Sequence, residues 1–318
     1  MGLNDYSKID LSVSIGNLRL KNPIMTASGT FGYGEEYADF FDISKLGGIV
    51  VKGLSITAKE GNPTPRIVET PSGMLNAIGL QNIGVKEFVS KKLPFLREKN
   101  TTVIANFFGD NESEFIETAE ILDDTDGIHA LELNISCPNK QSNWISFGTD
   151  LKLMEGLIKA IRKVVKKTLI VKLTPNTGDI KTSALIAQDS GADALSLINT
   201  ITGMVIDINT RKPILANNTG GLSGPAIRPI AVRMVWETCQ VVKIPVIGIG
   251  GIMNLNDALQ FFIVGAKAVA VGTANFINPI TSIKILDDLR DFIQREELKG
   301  INDIIGTIKL HEKTSCPA

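Results

Sequence analysis

The strongest constraint on the fold is a repeated pattern in which a short apolar run is followed by an amphipathic stretch. Near-continuous apolar character is typical of parallel strands buried on both faces, whereas a half-exposed strand alternates apolar and polar residues. The pattern therefore predicts a series of β-strand–α-helix units. The apolar runs are Pro23–Ala27, Gly48–Lys52, Val103–Asn106, Ala130–Asn134, Leu169–Lys172, Ala194–Asn199, Pro245–Gly250 and Ala268–Gly272.

Eight such units close most economically into a (β/α)8 TIM barrel, although a doubly wound open sheet shares the same local pattern. A helix is clearest after Asp150, a predicted N-cap, where apolar residues recur on one face. The length of 318 residues suits a barrel, so we predict one domain over residues 1–318. The apolar face consists of Leu151, Met154, Leu157, Ile158, Ile161 and Val165.

Two segments interrupt the repeated pattern. Residues 9–20 predict an N-terminal β-hairpin that turns at Gly16-Asn17 and covers the barrel floor. Residues 54–83 replace the short loop expected after the second strand with a long one rich in glycine, proline and asparagine. Because long loops in compact domains are usually functional, we expect this insertion to contribute to a site.

Composition limits the class of partner. The chain has 33 basic and 34 acidic residues, a balance that gives no long-range field to collect nucleic acid or an anionic membrane. Cys137, Cys239 and Cys316 are odd in number and lack paired spacing, as is typical of thiols in a reducing compartment. The sequence shows neither a signal peptide nor an apolar segment of membrane-spanning length. We therefore expect a cytoplasmic protein with a small-molecule ligand.

Polar or glycine residues stand at the carboxyl ends of the apolar runs. In a TIM barrel these ends converge on the face that carries active sites, although polar residues also end strands without any function. Asparagine offers a donor and an acceptor, which suits a flat ring with alternating N–H and C=O groups, such as a pyrimidine or a flavin. The strand-end residues are Lys52, Asn106, Asn134, Lys172, Asn199, Gly250 and Gly272.

Glycines gather at Gly248–Gly251, at Gly272-Thr273 and at Gly220–Pro225. Loops after the last two strands are the usual phosphate-binding loops of TIM barrels, where backbone amides approach the anion closely. Tight turns at strand ends are the alternative interpretation. The third glycine of a dinucleotide fingerprint is missing, so a mononucleotide phosphate is favoured.

Cys137 lies three residues past a strand end, between Asn134 and Asn139. An isolated cysteine is often a small buried apolar residue, but at the catalytic face this thiol is a candidate acid–base group or nucleophile. Histidine is absent from the strand ends, and we expect His129 and His311 to be structural or solvated. Without clustered ligands at metal spacing, we predict no metal site.

Three motifs, Asn134–Asn139, Asn76–Asn82 and Thr219–Ile227, together resemble those of the dihydroorotate dehydrogenase family, specifically its class 1B catalytic subunit. The resemblance runs from about Leu11 to Phe292. It implies an FMN across the barrel mouth and dihydroorotate stacked on it. The implied FMN-binding residues are Ser28, Lys52, Gly53, Asn106, Asn134, Lys172, Ile198, Gly224, Gly250, Gly251, Gly272 and Thr273. The implied substrate-binding residues are Lys52, Asn76, Ala77, Ile78, Gly79, Leu80, Asn134, Asn139, Asn199 and Thr200.

The resemblance also implies a mechanism and a partner. Cys137 would take a proton from C5 of dihydroorotate while a hydride leaves C6 for flavin N5, and Lys172 would face the N1/O2 edge of the flavin. The chain lacks an NAD fingerprint and the four cysteines of an iron–sulfur site. Class 1B therefore implies an electron-transfer subunit with FAD and an iron–sulfur cluster, joined to a homodimer of catalytic chains in a heterotetramer.

One segment departs from the family. Ser142-Asn143-Trp144 occupies the stretch after Asn139 where a pair of glycines usually makes the substrate loop mobile, so gating is expected to differ. Other functions remain open at this point: a fumarate-linked class 1A enzyme, a dihydrouridine synthase, an aldolase with Lys52 or Lys172 as Schiff base, or a non-catalytic phosphate-binding barrel. The near-neutral charge disfavours the tRNA-reading synthase, and the binding barrel would not need Cys137.

Overall fold

The protein is described by a computed structural model over residues 9–135 and 147–311. Its strands are β1 (Val13–Ile15), β2 (Leu18–Leu20), β3 (Ile24–Thr26), β4 (Gly48–Leu54), β5 (Ile67–Thr70), β6 (Gly73–Asn76), β7 (Val103–Phe107), β8 (Ala130–Asn134), β9 (Thr168–Lys172), β10 (Ala194–Leu197), β11 (Ile201–Gly203), β12 (Ile206–Asp207), β13 (Lys212–Pro213), β14 (Gly220–Ser223), β15 (Val246–Ile249) and β16 (Ala268–Val271). Its α-helices are α1 (Glu35–Ala38), α2 (Val85–Glu87), α3 (Leu93–Glu98), α4 (Glu112–Asp124), α5 (Leu151–Val164), α6 (Ile180–Asp189), α7 (Arg228–Cys239), α8 (Leu255–Ile263), α9 (Ala274–Ile277) and α10 (Thr281–Arg295).

Eight parallel strands close into a barrel in the order β3-β4-β7-β8-β9-β10-β15-β16, and β16 pairs back to β3. Each of the eight apolar runs forms one of these strands, so the predicted TIM barrel is confirmed. The strands are almost wholly buried because side chains fill the barrel on one face and the outer helices cover the other. The carboxyl ends of all eight strands therefore meet at one mouth.

The outer helices follow from local sequence signals. The carboxylate of Asp150 accepts the backbone amides of Lys152 and Leu153 at 3.0 and 3.1 Å, which confirms the predicted N-cap of α5. Met154 and Leu157 are among the residues of the apolar face that pack against the barrel. Asp179 and Asn254 cap α6 and α8 in the same way.

The N-terminal hairpin β1–β2 lies across the barrel floor, as predicted. Its turn contains Gly16 in the left-handed region, with φ of 57°. A Cβ on Gly16 would come within 2.8 Å of Asp193 Cβ and 3.1 Å of Thr168 Cγ2. Because Thr168 begins β9 and Asp193 precedes β10, the hairpin covers the amino ends of the strands, opposite the mouth.

The long insertion after β4 is present, but it contains regular structure that the sequence pattern did not reveal. Its strands β5 and β6 pair with β14 and β11 in a four-stranded antiparallel sheet of order β11-β14-β6-β5. This sheet, called here the mouth sheet, contributes Met74, Asn76 and Ser223 to the wall of the cavity at the barrel mouth. Its strands are short and partly exposed, so they lack the continuous apolar signal of the barrel strands.

Candidate active site

A cavity of about 370 Å³ lies at the carboxyl ends of the barrel strands, bordered by the mouth sheet. Such a volume falls within the range of small-molecule and cofactor sites. Every residue predicted to hold FMN lines this cavity. These residues are Ser28, Lys52, Gly53, Asn106, Asn134, Lys172, Ile198, Gly224, Gly250, Gly251, Gly272 and Thr273.

The predicted substrate residues that the structure describes also line the cavity, with one exception. Lining residues are Lys52, Asn76, Ile78, Gly79, Leu80, Asn134, Asn199 and Thr200. Ala77 does not line it: the side chain is fully buried in a small separate core with Leu75 and Leu215. A side-chain contact between Ala77 and a ligand therefore does not fit this arrangement. Cys137, Asn139 and the Ser142-Asn143-Trp144 departure lie outside the described residues.

A buried polar network stands behind the cavity wall. The Lys172 ammonium donates to Ser28 Oγ at 3.0 Å and lies 3.6 Å from Glu132 Oε1. The same Oε1 accepts Asn106 Nδ2 at 2.6 Å, and Glu132 Oε2 accepts Ser196 Oγ at 2.7 Å. The barrel interior therefore contains an ion pair whose carboxylate is also hydrogen-bonded, as buried charges require.

The sequence analysis missed Glu132, although a signal for it exists. Side chains alternate along a strand, so Glu132 shares its face with Asn134 in β8. Asn134 Nδ2 donates to Asn106 Oδ1 at 3.4 Å, and both asparagines line the cavity. An acidic residue in phase with a strand-end asparagine, inside an otherwise apolar strand, indicates a buried polar network beneath a site.

Lys52 provides a second ammonium at the cavity wall. Burial lowers the pKa of Lys52 below its ordinary value, and the nearby charge of Arg66 lowers it further, whereas Glu36 acts in the opposite direction. Arg66 also lines the cavity, and its Nη2 donates to Gln81 Oε1 at 2.7 Å. The sequence analysis assigned no role to Arg66 or to Gln81, although Gln81 belongs to the Asn76–Asn82 motif, because both lie in an insertion without strand-end periodicity.

The glycine loops after β15 and β16 provide a close backbone surface. Gly250 and Gly251 have φ of 134° and 69°, where side chains are strained. A Cβ on Gly251 would lie 2.8 Å from the carbonyl oxygen of Gly224. The two glycines thus let the loop pack closely against Gly224 and α7, and they also line the cavity, where a backbone without side chains fits the grip that a mononucleotide phosphate needs.

The third glycine cluster has a different role from the one that its composition suggested. Gly220 and Gly221 lie within β14, and a Cβ on Gly221 would come within 2.0 Å of Thr200 Oγ1. These two glycines allow close packing in the mouth sheet, so their interpretation as part of a phosphate-binding loop is wrong. Gly224 and Ser223 alone of this cluster line the cavity, and Thr273 Oγ1 donates to Ser223 Oγ at 2.8 Å.

An ion pair supports the loop after β15 from behind. Arg228 pairs with the buried carboxylate of Asp257, whose Oδ2 accepts the backbone amide of Met253 at 2.9 Å. Asp257 belongs to α8, whose amino end is capped by Asn254 Oδ1. The glycine loop is thereby fixed between α7 and α8.

Other titratable residues play structural parts. His129 Nδ1 accepts the amide of Val103 at 3.1 Å, and burial lowers the pKa of the imidazole, which confirms a structural role. Burial raises the pKa of Cys239 to about 12, so this thiol does not ionise near neutral pH.

Across residues 9–135 and 147–311, His, Cys, Asp and Glu side chains form no group of three able to hold a metal ion. Within the same ranges, no helix combines the length and apolar character needed to cross a bilayer.

The fold and the site together define a class: a TIM barrel whose mouth cavity joins glycine loops suited to a phosphate with amides and ammonium groups suited to a planar polar ring. The model of the dihydroorotate dehydrogenase family matches residues 10–293. The chain therefore belongs to the dihydroorotate dehydrogenase family, and the resemblance carried by its motifs is confirmed.

Individual relatives agree over nearly the whole chain. A protein of Thermodesulfovibrio yellowstonii is 59% identical over 299 residues, covering 94% of this chain and 99% of the relative. A protein of Trichlorobacter lovleyi is 54% identical and covers 94% of this chain and 98% of the relative. A protein of Bacteroides thetaiotaomicron is 52% identical and covers 95% and 99%, respectively. All three are named the catalytic subunit of dihydroorotate dehydrogenase B (NAD(+)), which is the subclass that the motifs predicted.

Proposed function

We propose that this chain oxidises dihydroorotate to orotate with FMN in the mouth cavity, as the catalytic subunit of an NAD-linked enzyme. The observation that carries the proposal is the convergence of all the predicted FMN-binding residues, from the ends of the eight barrel strands and from the loop after β14, on one cavity of about 370 Å³. The reaction supplies orotate for pyrimidine (UMP) biosynthesis, and we assign it to the cytoplasm.

FMN fits the residues that line this cavity. Gly250 and Gly251 line the cavity without side chains, which supports a role in holding the phosphate together with Gly272 and Thr273. Lys172 offers a buried ammonium at the wall, and Asn106 and Asn134 offer amides for the polar edge of a flavin ring. When bound, FMN supplies the hydride acceptor for the reaction.

The substrate-binding residues are proposed from the same wall. Asn76, Asn134 and Asn199 offer amide groups that match the ring N–H and C=O groups of dihydroorotate, and Lys52 offers a cation for its carboxylate. Asn139 is proposed as a further amide. We assign to Cys137 the removal of the C5 proton, so that its thiolate acts as general base.

Electrons must then leave the chain, and we propose a partner subunit with FAD and an iron–sulfur cluster as their route to NAD. Supporting this proposal, the relatives named above are called catalytic subunits, a term that implies another subunit. A cluster ordinarily needs four cysteines, and this sequence has three. We further propose a homodimer of catalytic chains inside a heterotetramer.

An absorbance experiment tests the cofactor and the substrate together. The purified chain should be yellow and should release FMN, and dihydroorotate added without oxygen should bleach the flavin band. Release of FAD, or freshly folded protein without flavin, would contradict the proposal. The partner is tested separately: the chain alone should reduce NAD slowly, and rapid NAD reduction or equally fast fumarate-supported turnover by the isolated chain would exclude the need for a partner.

A further inference from the structure

Glu132 is a buried carboxylate to which none of the roles above has been assigned. Only 1% of its surface is exposed, and it lies inside the barrel behind the residues that line the cavity. Both of its oxygens are occupied: Oε1 accepts Asn106 Nδ2 at 2.6 Å, and Oε2 accepts Ser196 Oγ at 2.7 Å. A buried charge held this firmly indicates a fixed element of the site.

The carboxylate constrains the Lys172 ammonium first. Lys172 is also buried, and its Nζ stands between Glu132 Oε1, at 3.6 Å, and Ser28 Oγ, at 3.0 Å. Ser28 Oγ accepts one of the three ammonium donors, and Glu132 attracts the ammonium across an ion-pair distance, so both neighbours hold Nζ at the cavity wall. The negative charge of Glu132 also offsets part of the positive charge that Lys172 presents to the cavity.

The carboxylate constrains a pair of asparagines as well. Because Glu132 takes the Nδ2 group of Asn106, the Oδ1 of that amide must face the other way, where it accepts Asn134 Nδ2 at 3.4 Å. The directions of two cavity-lining amides thus follow from one buried acid. An uncharged acceptor at this position would preserve these directions but remove the charge.

From this geometry we propose that Glu132 is a positioning residue that orients Lys172 and Asn106 and sets the electrostatic potential felt by the bound cofactor. The inference rests on the proposed function, since it assumes that FMN occupies the cavity. Reduction adds negative charge to a flavin, so a nearby carboxylate opposes reduction and a nearby ammonium favours it. Glu132 therefore lowers the reduction potential that Lys172 alone would produce.

The test is the midpoint potential of bound FMN in Glu132→Gln, measured by equilibration with redox dyes. The glutamine side chain keeps an oxygen that accepts from Asn106 and offers an amide N–H to Ser196 Oγ. The substitution therefore removes the negative charge and retains partners for both residues. We expect a potential more positive by about 30 mV or more, which corresponds to a tenfold change in the equilibrium ratio of a two-electron couple. Glu132→Asp keeps the charge and should stay closer to the wild-type potential.

Asp123→Asn provides the matched control. Asp123 is another buried carboxylate, 8% exposed, but it lies toward the barrel floor, where its Oδ1 accepts the amides of Lys166 and Lys167. Neutralising this carboxylate should leave the potential unchanged. A shift of equal size in Asp123→Asn and Glu132→Gln would overturn the proposal, because any lost buried charge would then have the same effect.

A second variant covers the case in which Glu132→Gln does not fold. Ser196→Ala keeps the carboxylate but removes one of its donors, which leaves more of its negative charge uncompensated. The potential should then shift in the negative direction. An unchanged or positive potential in Ser196→Ala, or an unchanged potential in folded Glu132→Gln, would overturn the positioning role, whereas wild-type protein without flavin would overturn the proposed function itself.

Discussion

The two ends of the barrel use buried polar groups in different ways. At the floor, Asp123 accepts two backbone amides and His129 accepts a third, so side chains there satisfy the ends of backbone segments. At the mouth, Glu132 accepts donors from the side chains of Asn106 and Ser196. Asp123 and His129 at the floor thus hold backbone segments, whereas Glu132 at the mouth holds other side chains in place behind a cavity.

This difference predicts which substitutions should change stability and which should change ligand binding. A lost acceptor at the floor leaves backbone amides unsatisfied, which lowers stability without changing the cavity. A lost group at the mouth changes what a ligand meets, while much of the barrel core stays intact. A floor substitution that alters ligand binding, or a mouth substitution that alters only stability, would contradict this division between the two ends.

The largest expected effect concerns Cys137. Replacing it with serine exchanges a thiol of pKa about 8.5 for a much weaker acid, so dihydroorotate oxidation should slow by about 10²- to 10⁴-fold and require higher pH. FMN should remain bound. Stopped-flow measurement of flavin bleaching tests this prediction, and bleaching at the wild-type rate would remove Cys137 from the mechanism.

A smaller effect is expected from Asn199→Ala, which tests whether a mouth residue controls ligand affinity. Asn199 lines the cavity, and loss of an amide partner for a buried ring group costs about 1 to 3 kcal/mol, or roughly 5- to 150-fold in affinity. Titration of the oxidised enzyme with orotate should show this loss while FMN stays bound.

The matched control is Asn22→Ala at the floor. Asn22 is 2% exposed, its Nδ2 donates to the carbonyl of Lys45 at 2.8 Å, and its Oδ1 accepts the amide of Ile24 at 3.2 Å. This variant should lose stability and keep its orotate affinity. Equal orotate affinity in wild type and Asn199→Ala would remove Asn199 from substrate recognition.

Asp123→Ala tests the floor side of the contrast. The amides of Lys166 and Lys167 would lose their shared acceptor, and we expect the free energy of unfolding to fall by about 1 to 3 kcal/mol. Urea unfolding followed by circular dichroism measures the change. If stability is retained but orotate affinity falls, the division between the two ends does not hold.

The smallest effect is a pH dependence at Lys52. Burial lowers its pKa from the ordinary 10.5, so the folded protein loses the ammonium at a lower pH than an exposed lysine does. In the proposed role of Lys52, only the charged form attracts the orotate carboxylate, so orotate affinity should fall as pH rises through this lowered pKa.

Lys52→Arg is the control for this dependence, because a guanidinium stays protonated over the same range. Orotate affinity of this variant should be flat with pH, even if it is weaker. A wild-type affinity that is equally flat up to pH 10.5 would show that Lys52 does not carry the interaction.

Much of the barrel could be predicted because its signals are local. Each strand, the N-cap at Asp150 and the turn at Gly16 depend on neighbouring residues, and apolar periodicity records them directly. The strands β5 and β6 could not be predicted in this way, because they are short and partly exposed. They pair with each other, but β6 joins the mouth sheet through β14, where Asn76 Nδ2 donates to the carbonyl of Gly221 across 145 residues.

The sequence alone therefore determined the fold class, the family and the residues at the strand ends, because parallel strands bring their carboxyl ends to one face whatever their details. Only the tertiary structure decided how these residues work together. Lys172 meets Ser28 across 144 residues, and Glu132 meets Ser196 across 64. The pairing of buried charges with their partners depends on barrel closure and on side-chain direction. Local sequence patterns predict neither of these.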